Sequence, residues 1–236
     1  MSLFSWFRRR SAEPDHGETA SPSPEEPAET AQPLTSGPWD EADQPEMGSR
    51  VDLGSLRVPA RPGMKLRMEA DQTTRQVVAA SLILGGSVLQ LQVFAAPRHA
   101  GVWSELREEI AASVAKQGGT ADEVEGPFGP ELLARLPVRT KDGRSGHRPA
   151  RFIGVDGPRW FLRGVLTGQA AISPDDAATL EEVFRDTVVI RGTTARPPRE
   201  PLPLTVPRVA GQPGAAENPE AAAPGGPAAP DSTGGP

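Results

Sequence analysis

The sequence has 236 residues, a formal net charge of -6 at pH 7 and no cysteine. Without cysteine the chain has neither a disulfide framework nor a thiolate zinc site, and it has no cysteine nucleophile. No apolar run approaches the roughly 20 residues that a membrane-spanning helix needs. We therefore expect a cytosolic protein whose function does not depend on thiol chemistry.

The first ten residues combine aromatic side chains with arginines. The aromatic group precedes the charges, which is the reverse of a signal peptide. A short aromatic segment beside arginines can lie in the headgroup region of an anionic membrane. The sequence thus predicts either a weak peripheral contact at the inner face of the membrane or a plain disordered terminus. The contact would use Phe4, Trp6, Phe7, Arg8, Arg9 and Arg10.

Proline and acidic residues set two terminal segments apart from the centre. Residues 11–49 contain ten acidic residues, seven prolines and no lysine or arginine, and residues 193–236 contain eleven of the 27 prolines. Such segments bury too little apolar surface to offset the entropy of ordering, so we expect both to be disordered. Residues 198–207 are a candidate exception, because three apolar side chains there can dock in extended form: Leu202, Leu204 and Val206.

Residues 50–192 carry the periodic apolar pattern of a single domain. Residues 64–69 and 87–95 alternate as β-strands do, and residues 75–84 form a run rich in β-forming residues, so three strands are predicted. Gly85-Gly86, between the last two, predicts a hairpin turn. An amphipathic helix follows and ends at Gly118-Gly119; its apolar residues at helical spacing are Trp103, Leu106, Ile110 and Val114.

The second half of the domain repeats this order. Strands are predicted near Val124 and over residues 132–138, 151–155, 159–166 and 188–191. Asp156-Gly157 predicts a hairpin turn between the two middle strands. Ser173 and Pro174 predict the start of a second helix, with serine as the N-cap and proline at the first helical position.

These elements predict an α+β fold: an antiparallel sheet of six to eight strands with two amphipathic helices on one face. Both halves run from a hairpin to a helix. That order indicates either a duplicated ββα unit or a chance similarity between amphipathic helices.

Four short motifs occur in order along the chain: VDLGSLRVP at 51–59, AAPR at 95–98 running into Trp103, GPRWFLRG at 157–164 and PLPL at 201–204. Together they resemble an actinobacterial family classed as a domain of unknown function. The resemblance covers roughly residues 38–204. It implies a cytosolic actinobacterial protein, and it brings no established activity, cofactor or catalytic residue. Lys65, Lys116 and Lys141 are the only lysines among 25 basic residues, which suits a GC-rich genome.

The sequence offers no catalytic constellation. His16, His99 and His147 lack metal-ligand spacing. The carboxylates of Asp175-Asp176 and Glu181-Glu182 fit a helix N-terminus and a solvated helix face better than an acid–base pair. We therefore expect no enzyme activity, no metal and no cofactor. An enzyme whose site one sequence does not reveal is the remaining alternative.

Residues 135–163 hold eight basic residues against Asp142 and Asp156. With a turn at Asp156-Gly157, one hairpin face carries Arg151, Ile153, Val155, Trp160 and Leu162, and the other carries Phe152, Arg159, Phe161 and Arg163. The second face is either an exposed basic and aromatic surface or core with arginines at its edges. Adding the preceding loop, 141–149, the candidate anion- or partner-binding residues are Arg144, His147, Arg148, Arg151, Phe152, Arg159, Phe161 and Arg163.

Two functions fit this charge pattern. The first is a non-catalytic interaction or regulatory module that binds a protein partner and whose acidic arm, residues 11–49, competes for the basic face. The second is a single-stranded nucleic-acid-binding protein that stacks bases on Phe152 and Phe161. An exposed position of those two rings beside arginines would favour the second.

Overall fold

The computed structural model describes residues 37–43, 49–98, 101–139 and 145–207. The predicted membrane-contact residues, most of the acidic arm and residues 208–236 lie outside these ranges, so the predictions for them stay predictions. Inside the described ranges, no helix is both long enough and apolar enough to cross a membrane.

The described chain has eleven strands and two α-helices, which confirms the α+β class. In chain order they are β1 (Trp39–Asp40), β2 (Arg50–Asp52), β3 (Leu56–Pro59), β4 (Lys65–Ala70), β5 (Val77–Leu84), β6 (Ser87–Ala95), α1 (Trp103–Lys116), β7 (Thr120–Gly126), β8 (Gly129–Arg139), β9 (Ser145–Gly157), β10 (Trp160–Thr167), α2 (Pro174–Arg185) and β11 (Val188–Val189). Short 3₁₀ helices cover Glu41–Asp43 and Gly168–Ala171.

Seven of the strands form one antiparallel sheet in the order β4-β5-β6-β10-β9-β8-β7, within the predicted range of six to eight. The β5–β6 hairpin turns at Gly85 and Gly86, whose φ angles are +56° and +82°. A two-residue hairpin turn of this kind needs positive φ at both positions, which glycine adopts without strain. The glycine pair therefore explains this predicted turn.

A second sheet was not expected from the sequence. It has four short strands in the order β1-β11-β3-β2, with β1 parallel to β11 and the other pairs antiparallel. Strands of two to four residues are too short to show a period-two pattern. Leu53, Leu56 and Val58 share one buried core with β6, β10 and α2, so this sheet packs on the same side of the large sheet as α2.

The two helices lie on opposite faces of the large sheet, so the prediction that both lie on one face is wrong. The buried side chains of α1 cluster with Phe94 and Phe161, and those of α2 cluster with Leu91 and Leu162. Neighbouring residues of a strand point to opposite faces. Both faces of β6 and β10 are therefore covered.

This placement bears on the predicted ββα duplication. The hairpins β5–β6 and β9–β10 lie side by side and meet along β6 and β10. A two-fold axis that exchanged them would run perpendicular to the sheet and would leave both helices on the same face. Since α1 and α2 lie on opposite faces, such an axis does not relate the two units.

The folded body extends beyond residues 50–192 at both ends. The backbone N–H of Trp39 in β1 donates to Thr187 O at 2.9 Å. Downstream, Leu202 and Leu204 are buried, and their N–H groups donate to Val93 O and Val77 O, both at 2.8 Å. The predicted docking of these two leucines is confirmed, whereas Val206 is 65% exposed.

Candidate partner-binding surface

The β9–β10 hairpin turns at Pro158 and Arg159, not at Asp156-Gly157. Trp160 lies opposite Gly157, and Arg159 has a φ of +62°. The turn is two residues later than predicted, and two residues is the full side-chain period of a strand. Each strand residue therefore lies on its predicted face, and only Arg159 moves, into the turn.

The face that carries Phe152 and Phe161 is covered by α1. Phe152 is 7% exposed and Phe161 is fully buried, stacked on Trp103 with ring centroids 5.7 Å apart. Gly154 makes this approach possible, since a Cβ there would lie 2.5 Å from the Trp103 ring. Both phenylalanines therefore belong to the core, and neither is available to stack on a base.

Arg163 is buried on the same face. It is 6% exposed, donates a hydrogen bond to the Gln92 side chain and lies with its guanidinium carbon 5.6 Å from the centroid of the Phe94 ring. Burial lowers the pKa of Arg163 to about 10. The guanidinium thus stays charged at neutral pH inside the core, where it supports the sheet and not a partner.

Arg151 lies on the opposite face in an ionic triad with Glu131 of β8 and Glu181 of α2. Its Nε is 2.5 Å from Glu131 Oε2, and its Nη2 donates to Glu181 Oε1. Arg151 is therefore paired within the protein. The expectation that Glu181 lies on a solvated helix face is wrong, because Glu181 belongs to this triad. The neighbouring Glu182 is exposed, as expected.

Glu131 is the most buried member of the triad, at 1% exposure. Among the described residues, no hydrogen bond of good geometry reaches either of its carboxylate oxygens. Burial raises the pKa of Glu131, and the nearby Arg151 opposes that change. Two carboxylates share one guanidinium, so the ionised triad carries one net negative charge.

Asp156 caps α1 from a distant strand. Its two carboxylate oxygens accept hydrogen bonds from the backbone N–H groups of Val102 at 2.7 Å and Trp103 at 3.1 Å. Burial raises the pKa of Asp156, and these two hydrogen bonds oppose the rise. A residue expected in a turn thus holds the first turn of a helix, which has no side-chain cap of its own.

The structure does not bring the remaining predicted residues together. His147 and Arg148 are exposed near the start of β9, and Arg159 is exposed in the turn beyond its end. Arg159 lies eleven positions after Arg148, which is roughly 35 Å of extended chain at the rise of a β-strand. Arg144 lies outside the described residues.

Beyond their neighbours, β8 and β9 continue as a two-stranded ribbon. β7 pairs with β8 only as far as Arg135, and β10 pairs with β9 only from Ala150 onward. Residues 136–139 therefore pair with residues 145–148 alone. We call these eight residues the basic ribbon.

The sequence predicts a loop over residues 141–149, and the structure makes 145–149 part of β9. Gly146 and Pro149 favour a loop when they are seen in the sequence alone. Pro149 pairs with Arg135 on one side and lies just outside the range paired with β10 on the other. A strand tolerates proline at such an edge position because no ladder hydrogen bond is needed on the open side.

The charges of the basic ribbon lie on both of its faces. Leu136 packs with α1, and Arg148, directly opposite it, shares that face. Arg139 and His147 occupy the other face, where Arg135 lies at the base. All four polar side chains are exposed. Residues 132–139 and 145–155 contain no aspartate or glutamate that would offset them.

A second group of arginines lies at the β9–β10 turn. Arg191 donates from Nε to Arg159 O at 3.0 Å, and its pKa is lowered by burial first and then by the charges of Arg159 and Arg196. Arg196 pairs with Glu200 at 2.6 Å. The nearby Arg199 pairs with Glu105 and Glu109 of α1, so carboxylates compensate much of this group.

No set of three or more histidine, aspartate or glutamate side chains that could hold a metal ion occurs among the described residues. Asp175 and Asp176 are exposed in the first turn of α2, where Ser173 Oγ accepts a hydrogen bond from Asp176 N at 3.3 Å. These carboxylates have the predicted structural position at a helix N-terminus.

A family model described as a protein of unknown function, DUF3710, matches residues 37–212. The match covers well over half of the chain, which therefore belongs to this family, in agreement with the resemblance found in the sequence. It includes both β1 and the docked residues 201–204, which lie outside the domain predicted from composition. No curated protein matches the chain.

Proposed function

We propose that this member of the DUF3710 family is a non-catalytic binding module that holds an anionic macromolecule on its basic ribbon. One observation carries the proposal. The ribbon extends past both neighbouring strands and presents Arg139, His147 and Arg148, with Arg135 at its base, and residues 132–139 and 145–155 contain no aspartate or glutamate. Clustered charge of one sign attracts an oppositely charged partner and speeds its association.

The other basic residues of the hairpin are poorer candidates. Arg151 and Arg163 are held inside the protein by the ionic triad and by Gln92 and Phe94. The arginines near the β9–β10 turn face Glu200, Glu105 and Glu109. The basic ribbon is thus the basic surface with the least internal compensation.

The acidic arm remains part of this proposal in a narrower form. Its residues 37–43 belong to the folded body: Trp160 Nε1 donates to Asp40 Oδ2 at 2.7 Å, and Glu41 lies 3.4 Å from Arg57. These carboxylates are occupied locally. The competing segment is therefore residues 11–36, which carries six of the ten acidic residues of the arm.

A deletion tests the competition. Removing residues 11–36 should strengthen binding of heparin at low salt, because a tethered polyanion has an effective concentration of roughly millimolar near the ribbon. Salt should erase the gain as the screening length shrinks. Equal affinities for the full-length and truncated proteins at low salt would make the arm only a solubilising segment.

Binding itself is tested by titrating labelled heparin and labelled poly-glutamate with the full-length protein. We expect the double variant Arg139→Gln/Arg148→Gln to lose roughly tenfold or more in affinity at low salt, because two charge contacts are removed. The matched control is Arg75→Gln/Arg98→Gln, which makes the same change in net charge at exposed arginines elsewhere. Equal losses in both variants, or no binding of either polyanion, would overturn the proposal.

The cellular location is also a proposal. A chain without cysteine suits a reducing compartment, and its shortage of lysine suits a GC-rich actinobacterial genome. We therefore place the binding in the cytosol. Sedimentation with anionic vesicles, compared for the wild type and for Trp6→Ser/Phe7→Ser, tests whether the N-terminal tip adds a membrane contact there.

A further inference from the structure

From the two open edges of the large sheet we infer that copies of this chain associate edge to edge, with β7 of one copy lying beside β4 of the next. This inference goes beyond the proposed function and does not involve the basic ribbon. Among the described strands, β4 pairs only with β5, and β7 pairs only with β8. Each edge therefore presents a row of backbone N–H and C=O groups that a further strand can bind.

The two edge strands carry opposite charges on the same side of the sheet. Lys65 and Arg67 of β4 are exposed and lie on the side where α1 packs. Glu123 and Glu125 of β7 are exposed on that side too, and Glu123 contacts Arg107 of α1. β7 contains no lysine or arginine. The charges thus suit pairing of one edge with the other.

Two of these charges have partners within the chain. Arg67 pairs with Glu69 at 3.2 Å, and Glu123 pairs with Arg107 at 3.1 Å. The side chains of Arg67 and Glu123 are 65% and 55% exposed, and ion pairs between exposed side chains contribute little to stability. Both charged groups are therefore able to contact a second copy.

The topology determines how the two strands meet. Six antiparallel pairs connect β4 to β7, so these strands point in the same direction. A second copy that continues the sheet with the same side facing α1 therefore places its β7 parallel to β4. When Lys65 lies beside Glu123 of the other copy, Arg67 lies beside Glu125, because both strands advance by the same rise.

The same register brings apolar side chains together on the opposite side of the sheet. Leu66 and Met68 point to that side and pack at the edge of the core. Val124 of β7 points to it as well and is 38% exposed. Leu66 lies beside Val124 in this register, so the contact between copies covers an exposed apolar side chain.

Charge opposes the pairing of two identical edges. Two β4 strands would bring Lys65 and Arg67 of one copy close to the same cations of the other. Two β7 strands would bring carboxylates together in the same way. Like charges on neighbouring strands are destabilising, so the charge pattern selects unlike edges. Such a head-to-tail contact leaves an edge open for a further copy.

The described helix on this side of the sheet does not block the β4 edge. The buried cluster around α1 draws on strands β6 to β10, and no described residue of β4 or β5 belongs to it. The other helix, α2, lies on the opposite side. The edge of β4 is therefore accessible from the side that carries Lys65 and Arg67.

Self-association is tested by sedimentation equilibrium of the full-length protein at low salt and rising concentration. We expect the average mass of the wild type to rise above that of a monomer. Lys65→Glu/Arg67→Glu should abolish the rise, because both edges are then acidic. The matched control, Arg98→Glu/Arg159→Glu, makes the same change in net charge at exposed arginines outside both edges and should associate as the wild type does.

A charge exchange separates an edge contact from a folding defect. Glu123→Lys/Glu125→Lys should also stay monomeric, because both of its edges are then basic. An equal mixture of this variant with Lys65→Glu/Arg67→Glu should associate again, since each acidic edge meets a basic edge on the other variant. Misfolded variants would not regain association in this way.

Cross-linking tests the register. The chain has no cysteine, so introduced cysteines form disulfides only with each other. Leu66→Cys and Val124→Cys are made in separate proteins and mixed under mild oxidation. A disulfide-linked dimer should form in the mixture and in neither protein alone, because the two positions lie side by side only between unlike edges.

The outcomes are distinct from those of the heparin titration, which tests the proposed function. A wild type that stays monomeric at every concentration overturns the inference, and so does association that survives both charge reversals. A mixture of the two reversed variants that stays monomeric also overturns it. Disulfide-linked dimers of Leu66→Cys alone would show that like edges meet, which contradicts the pairing of β7 with β4.

Discussion

The two halves of strand β9 use arginine in opposite ways. Arg151, in the half flanked by β8 and β10, is enclosed with Glu131 and Glu181, whereas Arg148, three residues earlier, is exposed. The residue type is the same and the neighbours differ. A basic run in a sequence therefore contains both structural and available charges, and only the strand partners and covering helices separate them.

The two halves of β9 should differ most in how much the free energy of unfolding falls when their arginine is replaced. Arg151→Ala leaves Glu131 and Glu181 close together without their cation, and removing one partner of a buried ion pair costs about 3–5 kcal/mol. Arg148→Ala should cost less than about 0.5 kcal/mol, as exposed substitutions usually do. Urea unfolding at pH 7 measures both changes. Similar losses for the two variants would contradict the division of β9.

A smaller, pH-dependent effect is expected from Glu131→Gln. The raised pKa of Glu131 lets the folded protein take up a proton at a pH where the unfolded chain does not, so this group adds stability as the pH falls through the raised pKa toward its ordinary value of 4.5. The variant lacks that gain. Wild type should therefore improve relative to the variant as the pH is lowered from 8 to 5 in urea unfolding; the opposite trend would contradict a raised pKa.

The next largest effect on stability is expected at Asp156, near the C-terminal end of β9. Asp156→Ala removes both acceptors from the first turn of α1, and losing a cap of this kind costs about 1–2 kcal/mol. Asp156→Asn keeps one carbonyl oxygen and should cost less. Thermal unfolding gives the magnitude, and amide exchange gives the location. Faster exchange at Val102 and Trp103 is expected, and exchange unchanged there would exclude the capping role.

The smallest stability effect belongs to the basic ribbon. Arg139→Gln/Arg148→Gln should change the free energy of unfolding by less than about 0.5 kcal/mol, because both side chains are exposed. Its effect should be on binding alone. A marked loss of stability would show that these arginines support the fold, as Arg151 and Arg163 do.

Local rules predicted the elements whose determinants are adjacent in the chain. Gly85-Gly86 specified one hairpin, and Ser173 with Pro174 specified the start of α2. The cap of α1 could not be found this way, because Asp156 lies 54 residues from Val102. To assign Asp156 to a helix cap and not to a turn, one must know the tertiary contacts, and the periodicity of a sequence does not show them.

The candidate site depended even more on long-range structure. The faces of the β9–β10 hairpin were predicted correctly, yet burial of Phe152, Phe161 and Arg163 follows from α1 lying opposite α2. The basic ribbon arises because β7 stops pairing with β8 before β8 ends, and because β10 does not reach the first residues of β9. How far a strand extends beyond its neighbours depends on the whole sheet. In the sequence, Gly146 and Pro149 favour a loop, so they did not indicate that β9 begins before them.

The central claim is that the basic ribbon, and not the buried hairpin face or the β9–β10 turn, receives the anionic partner. Amide hydrogen exchange of the full-length protein with and without saturating heparin tests it directly. We predict slower exchange in residues 136–139 and 145–148 and no change in residues 157–163 and 191–196. Protection that appeared at the turn while the ribbon stayed unchanged would contradict the account.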